Sequence, residues 1–223
     1  MNKLSREEIV LLDKKLIWHP YTPMRRYIDE VDPVVVDRAE GMYLYDRNGA
    51  RLIDGNASWW VNILGHGHPR LKEALARQAE DLMHCSLAGM THEPAVALAE
   101  MLLPKCGASF SRLFFSDDGS TAVEVAVRMA HQYWKNLGRP EKRRFVTLEG
   151  AFHGETLGAA SVSGSKVFHE ALGDLLFDRV LLPSPARAAT EGAPWHETAF
   201  AEASRLLEER ADEIAAIVVE PLV

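Results

Sequence analysis

The stretch 113–219 alternates short apolar runs with helical periodicities, and that pattern leaves few folds open. Leu113-Phe-Phe115, Phe145-Val-Thr-Leu148, Val180-Leu-Leu182 and Ile214-Ala-Ala-Ile-Val-Val219 read as strands. Between them, 121–137 (ended by Gly138) and 197–210 carry apolar residues at helical spacing. Strands that are apolar on both faces belong to a parallel sheet covered by helices on either side. The expected fold class is α/β, with a mostly parallel sheet between helical layers. Val223 follows four residues after the last apolar run with no closing helix, so the chain is expected to stop inside a fold.

The N-terminal part reads differently. Ser5-Arg-Glu-Glu8 is a capping box, and Ile9, Leu12 and Leu16 continue it as a short helix. Trp18-His-Pro-Tyr-Thr-Pro23 stops that helix, because its two prolines cannot sit in a helix interior. Residues 33–37 and 42–54 read as short strands with a turn at Asp46-Arg-Asn-Gly49. Pro69 suits a helix start, with Leu71, Leu75, Ala79 and Leu82 along one face, and a second helix is expected over 94–103. The Pro-, Ala- and Ser-rich stretch 183–196 reads as a surface loop.

Composition excludes several classes of function. The 223 residues allow one large or two small domains, and 47% hydrophobic against 26% charged residues is ordinary for a globular protein. Thirty-two acidic against 25 basic residues give a charge of −7 with no basic block, so neither nucleic acid nor an anionic membrane is an expected partner. Two cysteines, Cys85 and Cys106, are too few for a disulfide framework. Charged residues interrupt the first twenty positions, so no signal peptide is visible, and no run is apolar enough to span a bilayer. A cytoplasmic setting is expected.

Few segments carry chemistry. Asp117-Asp-Gly-Ser-Thr-Ala-Val-Glu124 lies between a strand and a long helix, where α/β sheets bind ligands and a helix start offers N–H groups to a phosphate. Gly119 would let the backbone approach, and Ser120 and Thr121 would add hydroxyl donors. Thr121-Ala-Val-Glu124 is equally a capping box, and many helices begin this way with no ligand. Phe152-His-Gly154 follows the next strand, so Phe152 either stacks on a flat ring or anchors a loop. Gly65-His-Gly-His68 lacks a third metal ligand nearby in sequence, so its glycines are read as a tight turn and no metal is expected. Ser163-Gly-Ser-Lys166 does not fit phosphate-loop spacing, and Lys166 reads as a loop lysine. Trp59 and Trp60 are costly to expose, so at least one should be buried or bind something flat; Tyr21, between two prolines, is similar.

Taken in order, Trp18-His-Pro-Tyr-Thr22, Asp54-Gly-Asn-Ala-Ser-Trp-Trp60, Gly65-His-Gly-His-Pro69, Asp117-Asp-Gly-Ser-Thr-Ala-Val-Glu124, Gln132-Tyr-Trp134, Phe152-His-Gly154 and Glu220-Pro221 resemble one family over essentially the whole chain. It is that of the class III, fold-type I, pyridoxal-phosphate aminotransferases. Within it, Trp18–Thr22 and Ser58-Trp-Trp60 are most similar to the branch that aminates 8-amino-7-oxononanoate with S-adenosylmethionine in biotin biosynthesis. The resemblance implies that Gly119, Ser120 and Phe152 bind pyridoxal 5'-phosphate, and that Tyr21, Trp59 and Phe152 bind substrate. Phe152 stands where many relatives carry tyrosine. The Schiff-base lysine is expected beyond residue 223, so the chain resembles an N-terminal half and is expected to be inactive alone. Residues 1–60 would contribute to the small domain and the substrate pocket, and 61–223 would open the large domain of a homodimer. The alternatives are another class III aminotransferase, including one with lysine as donor, or a non-catalytic half that only binds a ligand or partner.

Overall fold

The computed structural model describes residues 4–165, 167, 170–185 and 195–221. Lys3, Lys166, Val223 and most of the expected 183–196 loop lie outside the described residues. The chain forms two units that divide between Val96 and Ala97.

In the first unit, helix α1 (Arg6–Leu16) begins as its sequence requires. Glu8 N–H donates to Ser5 Oγ (3.1 Å) and Ser5 N–H to Glu8 Oε2 (2.8 Å). A second short helix, α2 (Met24–Glu30), follows Pro23 without an apolar periodicity to announce it. Tyr27 ties the two together: its ring is buried, and its hydroxyl donates to Asp13 Oδ2 (2.6 Å). His19 Nε2 donates to the same carboxylate (3.0 Å). Burial, then the Asp13 carboxylate, pushes the Tyr27 phenol up to about 12. The 18–23 segment is thus pinned at both sides by Asp13.

An antiparallel sheet follows, with strands β1 (Val36–Glu40), β2 (Tyr43–Asp46) and β3 (Arg51–Ile53) in that order. The first strand lies three residues later than the expected 33–37, and 42–54 splits into two strands. A tight turn at Gly41, with φ +56°, sets the first register, and Asp46 Oδ1 fixes the second turn by accepting from the N–H groups of Asn48 and Ala50. Arg38 lies over the Tyr45 ring at 3.5 Å and Arg51 over Tyr43 at 4.4 Å. Helix α3 (Pro69–Asp81) starts on its proline, and α4 (Glu93–Cys106) carries Pro104 only in its last turn.

The second unit holds the parallel sheet, with β4 (Arg144–Leu148) between β5 (Arg179–Leu182) and β6 (Ile214–Ile217). Side-chain alternation along β4 divides the core. Phe145 packs with Val127 of helix α5 (Gly119–Asn136) and with Val162, just past helix α6 (Leu157–Ser161). Val146 packs on the other face with Val180, Leu182, and Leu206 and Leu207 of helix α7 (Trp195–Glu209). Trp134 bolts α5 to β6 through a 2.7 Å bond from its indole N–H to the Ala215 carbonyl. The expected α/β sandwich of layers is present. The expected strand at 113–115 is not: no described strand runs beside it, and an extended segment without a ladder partner is not a strand.

Gly164 lies beneath the end of β4, donating to the Ala151 carbonyl (2.8 Å). A Cβ there would fall 1.9 Å from the Leu148 carbonyl oxygen, a backbone atom that cannot step aside. Ser163 and Ser165 beside it are buried, so this stretch is packing material and no phosphate loop. Gly164→Ala in the full-length protein should therefore cost about 2–3 kcal/mol of folding stability by urea denaturation, the scale of an overpacked core. A loss within a few tenths of that for an exposed substitution would show that the loop can move away.

Candidate functional site

The carboxyl ends of β4 and β6 gather the residues of the first group. Helix α5 starts at Gly119 with Asp118 as its N-cap. Thr121 N–H donates to Asp118 Oδ1 (2.8 Å), and Asp118 N–H donates back to Thr121 Oγ1 (3.0 Å). The capping box is therefore Asp118 with Thr121, and not Thr121 with Glu124, because the helix starts two residues earlier than expected. This also draws the Asp118 carboxylate onto the helix end.

Glu124 is released for another task. It accepts from the Thr156 hydroxyl (2.5 Å) and from Ala159 N–H (3.2 Å). Thr156 Oγ1 in turn accepts from the Ser120 hydroxyl (3.2 Å). Ser120 Oγ also accepts from the N–H groups of Glu155 and Thr156, both at 2.9 Å. The Ser120 and Thr121 hydroxyls thus make their bonds within the protein, Ser120 to Thr156 and Thr121 to Asp118. The backbone N–H groups of Gly119 and Ser120 have no protein acceptor among the described residues. A Cβ on Gly119 would meet nothing within 4 Å.

Gly154 makes this arrangement possible. Its φ of +129° lies in the region that favours glycine, and a Cβ would fall 2.5 Å from Ser120 Oγ. Two residues earlier, Phe152 exposes 38% of its surface, and its N–H donates to Glu220 Oε2 (2.8 Å) just beyond β6. His153 points inward, with Nε2 3.0 Å from Thr147 Oγ1 and its N–H on Ser163 Oγ (2.9 Å). Burial pushes the imidazole below its ordinary value, against the opposing pull of the Glu220 carboxylate. Glu220 and His153 belong to motifs visible in the sequence, but only the structure shows them fixing the Phe152 loop. Two unpaired N–H groups, an open space at a glycine and a half-exposed aromatic face fit a phosphate-bearing flat ring. Lys135, in the last turn of α5, stands at the far end of that helix, and Lys142 binds carbonyls at the amino end of β6.

The second group lies in the first unit. Tyr21 and Trp59 meet with ring centroids 5.5 Å apart at 30°. Neither tryptophan is buried: Trp59 is 57% and Trp60 72% exposed. The turn that carries them is left-handed, with φ 51°, 49°, 65° and 65° at Ala57, Ser58, Trp59 and Trp60. Each such residue costs about 1–2 kcal/mol for an L-amino acid, so something must hold the turn. Asp54 does so. Its Oδ1 accepts from Ser58 N–H (2.8 Å), and Oδ2 accepts from the Ser58 hydroxyl and His66 Nε2–H, both at 2.7 Å. These bonds, the Ser58 hydroxyl first, hold the Asp54 carboxyl below the usual carboxylate range. His66 is itself fixed by paired backbone bonds with Gly41, and Gly65 has φ +82° and packs against Gly41, as the tight-turn reading requires.

The family Aminotransferase class-III matches residues 27–223. The adenosylmethionine-8-amino-7-oxononanoate aminotransferase of Geobacter sulfurreducens is 40% identical over 216 residues, 95% of this chain and 48% of that protein. The solved structure of the enzyme of the same name from Methanocaldococcus jannaschii superposes with a TM-score of 0.86 at 32% identity, over 96% of this chain and 46% of that one. An (S)-enantioselective omega-transaminase from Thermomicrobium roseum gives 0.91 at 28% identity, over 99% and 50%. The chain belongs to the class III aminotransferases, and its fold is that of the fold-type I transaminases. It spans about half the length of the curated relatives it matches. No helix among the described residues is long and apolar enough to cross a membrane.

The lowered His153 value gives a signed pH effect. Between that value and the ordinary 6.5 the unfolded chain binds more protons than the folded one. Stability should thus rise with pH across this window and be lost on acidification. Urea midpoints of the full-length protein should fall as pH drops below about 6.5, and His153→Gln should flatten that limb. An unchanged slope in the variant would assign the acid sensitivity elsewhere.

Proposed function

We propose that the protein to which these residues belong transfers an amino group from S-adenosylmethionine to 8-amino-7-oxononanoate, giving 7,8-diaminononanoate in biotin biosynthesis, with pyridoxal 5'-phosphate as cofactor. The observation that carries this reading is the α5 start, where two unpaired backbone N–H groups stand beside the loop of Phe152 at the sheet's carboxyl edge. Gly119 and Ser120 would hold the phosphate through those N–H groups, with the helix dipole favouring its charge. Phe152 would offer its face to the ring, and Glu220 would keep that face in place. When bound, pyridoxal phosphate supplies the electron sink that amino transfer needs. Tyr21 and Trp59 would present an aromatic surface to the substrates, adenine-sized in the case of the donor.

In the whole protein, residues 1–60 would contribute to the smaller domain and 61–223 would open the larger one. A cytoplasmic homodimer fits the apolar side chains left uncovered here, such as Met83 at 86% and Met101 at 67% exposure. A second reading, amino transfer from a different donor such as lysine, draws on the close superposition with an omega-transaminase.

Two substitutions in the full-length protein test the assignment. Gly119→Val should weaken pyridoxal-phosphate affinity about tenfold or more while leaving thermal stability nearly unchanged, because its side chain enters open space. Unchanged affinity would remove the phosphate site from this helix start. Tyr21→Ala should impair the half-reaction with S-adenosylmethionine more than that with other amines. Turnover from lysine but not from S-adenosylmethionine in the parent protein would favour the second reading.

A further inference from the structure

The left-handed turn of Ala57–Trp60 is unfavourable in isolation, yet it carries the exposed rings of Trp59 and Trp60, the first of them against Tyr21. Backbone bonds from Trp60 N–H to the Asn56 carbonyl (2.8 Å) and from Asn62 N–H to the Ala57 carbonyl (3.0 Å) close it, and one carboxylate takes its side-chain bonds. Asp54 is only 7% exposed in its side chain, and its acceptors take Ser58 N–H, the Ser58 hydroxyl and His66 Nε2–H. The Asp54 carbonyl adds a bond from Ala57 N–H (3.2 Å). A carboxylate only accepts, so the His66 proton sits on Nε2, and the neighbouring ring stays locked between Asp54 and the Gly41 strand turn. Asp54 touches neither Trp59 nor Tyr21 through these bonds; it acts through the backbone between them.

We propose that Asp54 is a positioning residue for the substrate pocket: with Ser58 and His66 as its donors, it holds the strained turn that sets Trp59 against Tyr21. The proposal rests on the reading of Tyr21 and Trp59 as substrate contacts. Without the carboxylate the turn relaxes toward right-handed backbone, and the Trp59 ring leaves the Tyr21 face. The cofactor cradle at Gly119 is built from other residues and does not depend on Asp54.

The test compares Asp54→Ala, Asp54→Asn and Trp59→Phe in the full-length protein with cofactor bound. Asp54→Ala should raise the KM for the amino substrates about tenfold or more with a smaller change in kcat, as displaced binding groups do. Its pyridoxal-phosphate affinity should stay within about twofold of the parent, since the interaction removed serves substrate alone. Near-ultraviolet circular dichroism should lose the bands that Trp59→Phe removes. Asp54→Asn, whose amide oxygen still accepts from Ser58 N–H, should restore most of those bands and part of the KM. Parental KM and parental bands in Asp54→Ala would overturn the proposal, as would equal losses of substrate and cofactor affinity. If the parent shows no transamination of these substrates, the functional reading fails, and the dichroism still decides what Asp54 holds.

Discussion

The contact between Gly154 and Ser120 is the constraint on which the sheet-edge site depends. Loops after parallel strands are free to wander unless something fastens them to the neighbouring helix. Here the absence of a side chain at Gly154 lets the loop lie directly on the first turn of α5. Ser120 then accepts two backbone N–H groups of that loop, and the hydroxyl chain through Thr156 ends on Glu124, itself a helix residue. Glu220 grips the same loop from the β6 side through Phe152 N–H. The loop is thus clamped from two elements, and what remains unspent at the helix start is backbone N–H.

The aromatic turn follows a similar logic with different parts. A strained backbone persists only where its surroundings over-determine it. At Ala57–Trp60 the surroundings include one nearly buried carboxylate and the histidine that shares it, beside backbone bonds from Trp60 N–H to the Asn56 carbonyl (2.8 Å) and from Asn62 N–H to the Ala57 carbonyl (3.0 Å). In both places a polar side chain that accepts from the backbone at or beside an exposed ring fixes where that ring stands. Phe152 and Trp59 are the visible surfaces; Glu220 and Asp54 are the reasons they sit where they do.

Much of this was legible in the sequence, and the exceptions have physical causes. Helix α1 announced itself by Ser5 and Glu8, α3 by Pro69, and the parallel sheet by apolar runs at 145–148 and 214–219. The apolar run 113–115 pairs with no described strand, because an apolar pattern reports burial whereas a strand also needs a partner backbone. The capping box at α5 falls on Asp118 and Thr121 rather than on Thr121 and Glu124, since both residue pairs fit a cap and only geometry chooses between them. Gly119, Phe152, Tyr21 and Trp59 were readable as motif residues. Spacing gives Asp54, His153 and Glu220 no role, because no periodicity connects them to His66, Thr147 and Phe152, which lie 12, 6 and 68 residues away. His66 illustrates the point: sequence offered it no nearby carboxylate, while the fold brings Asp54 to 2.7 Å.

The central claim is that the start of α5 is a phosphate site beside a ring-stacking loop. The most direct measurement is a crystal structure of the full-length protein with pyridoxal phosphate. Phosphate oxygens should lie within hydrogen-bond distance of the Gly119 and Ser120 N–H groups, with the cofactor ring against the face of Phe152. A phosphate bound elsewhere, with those two N–H groups facing water and Phe152 away from the ring, would contradict it.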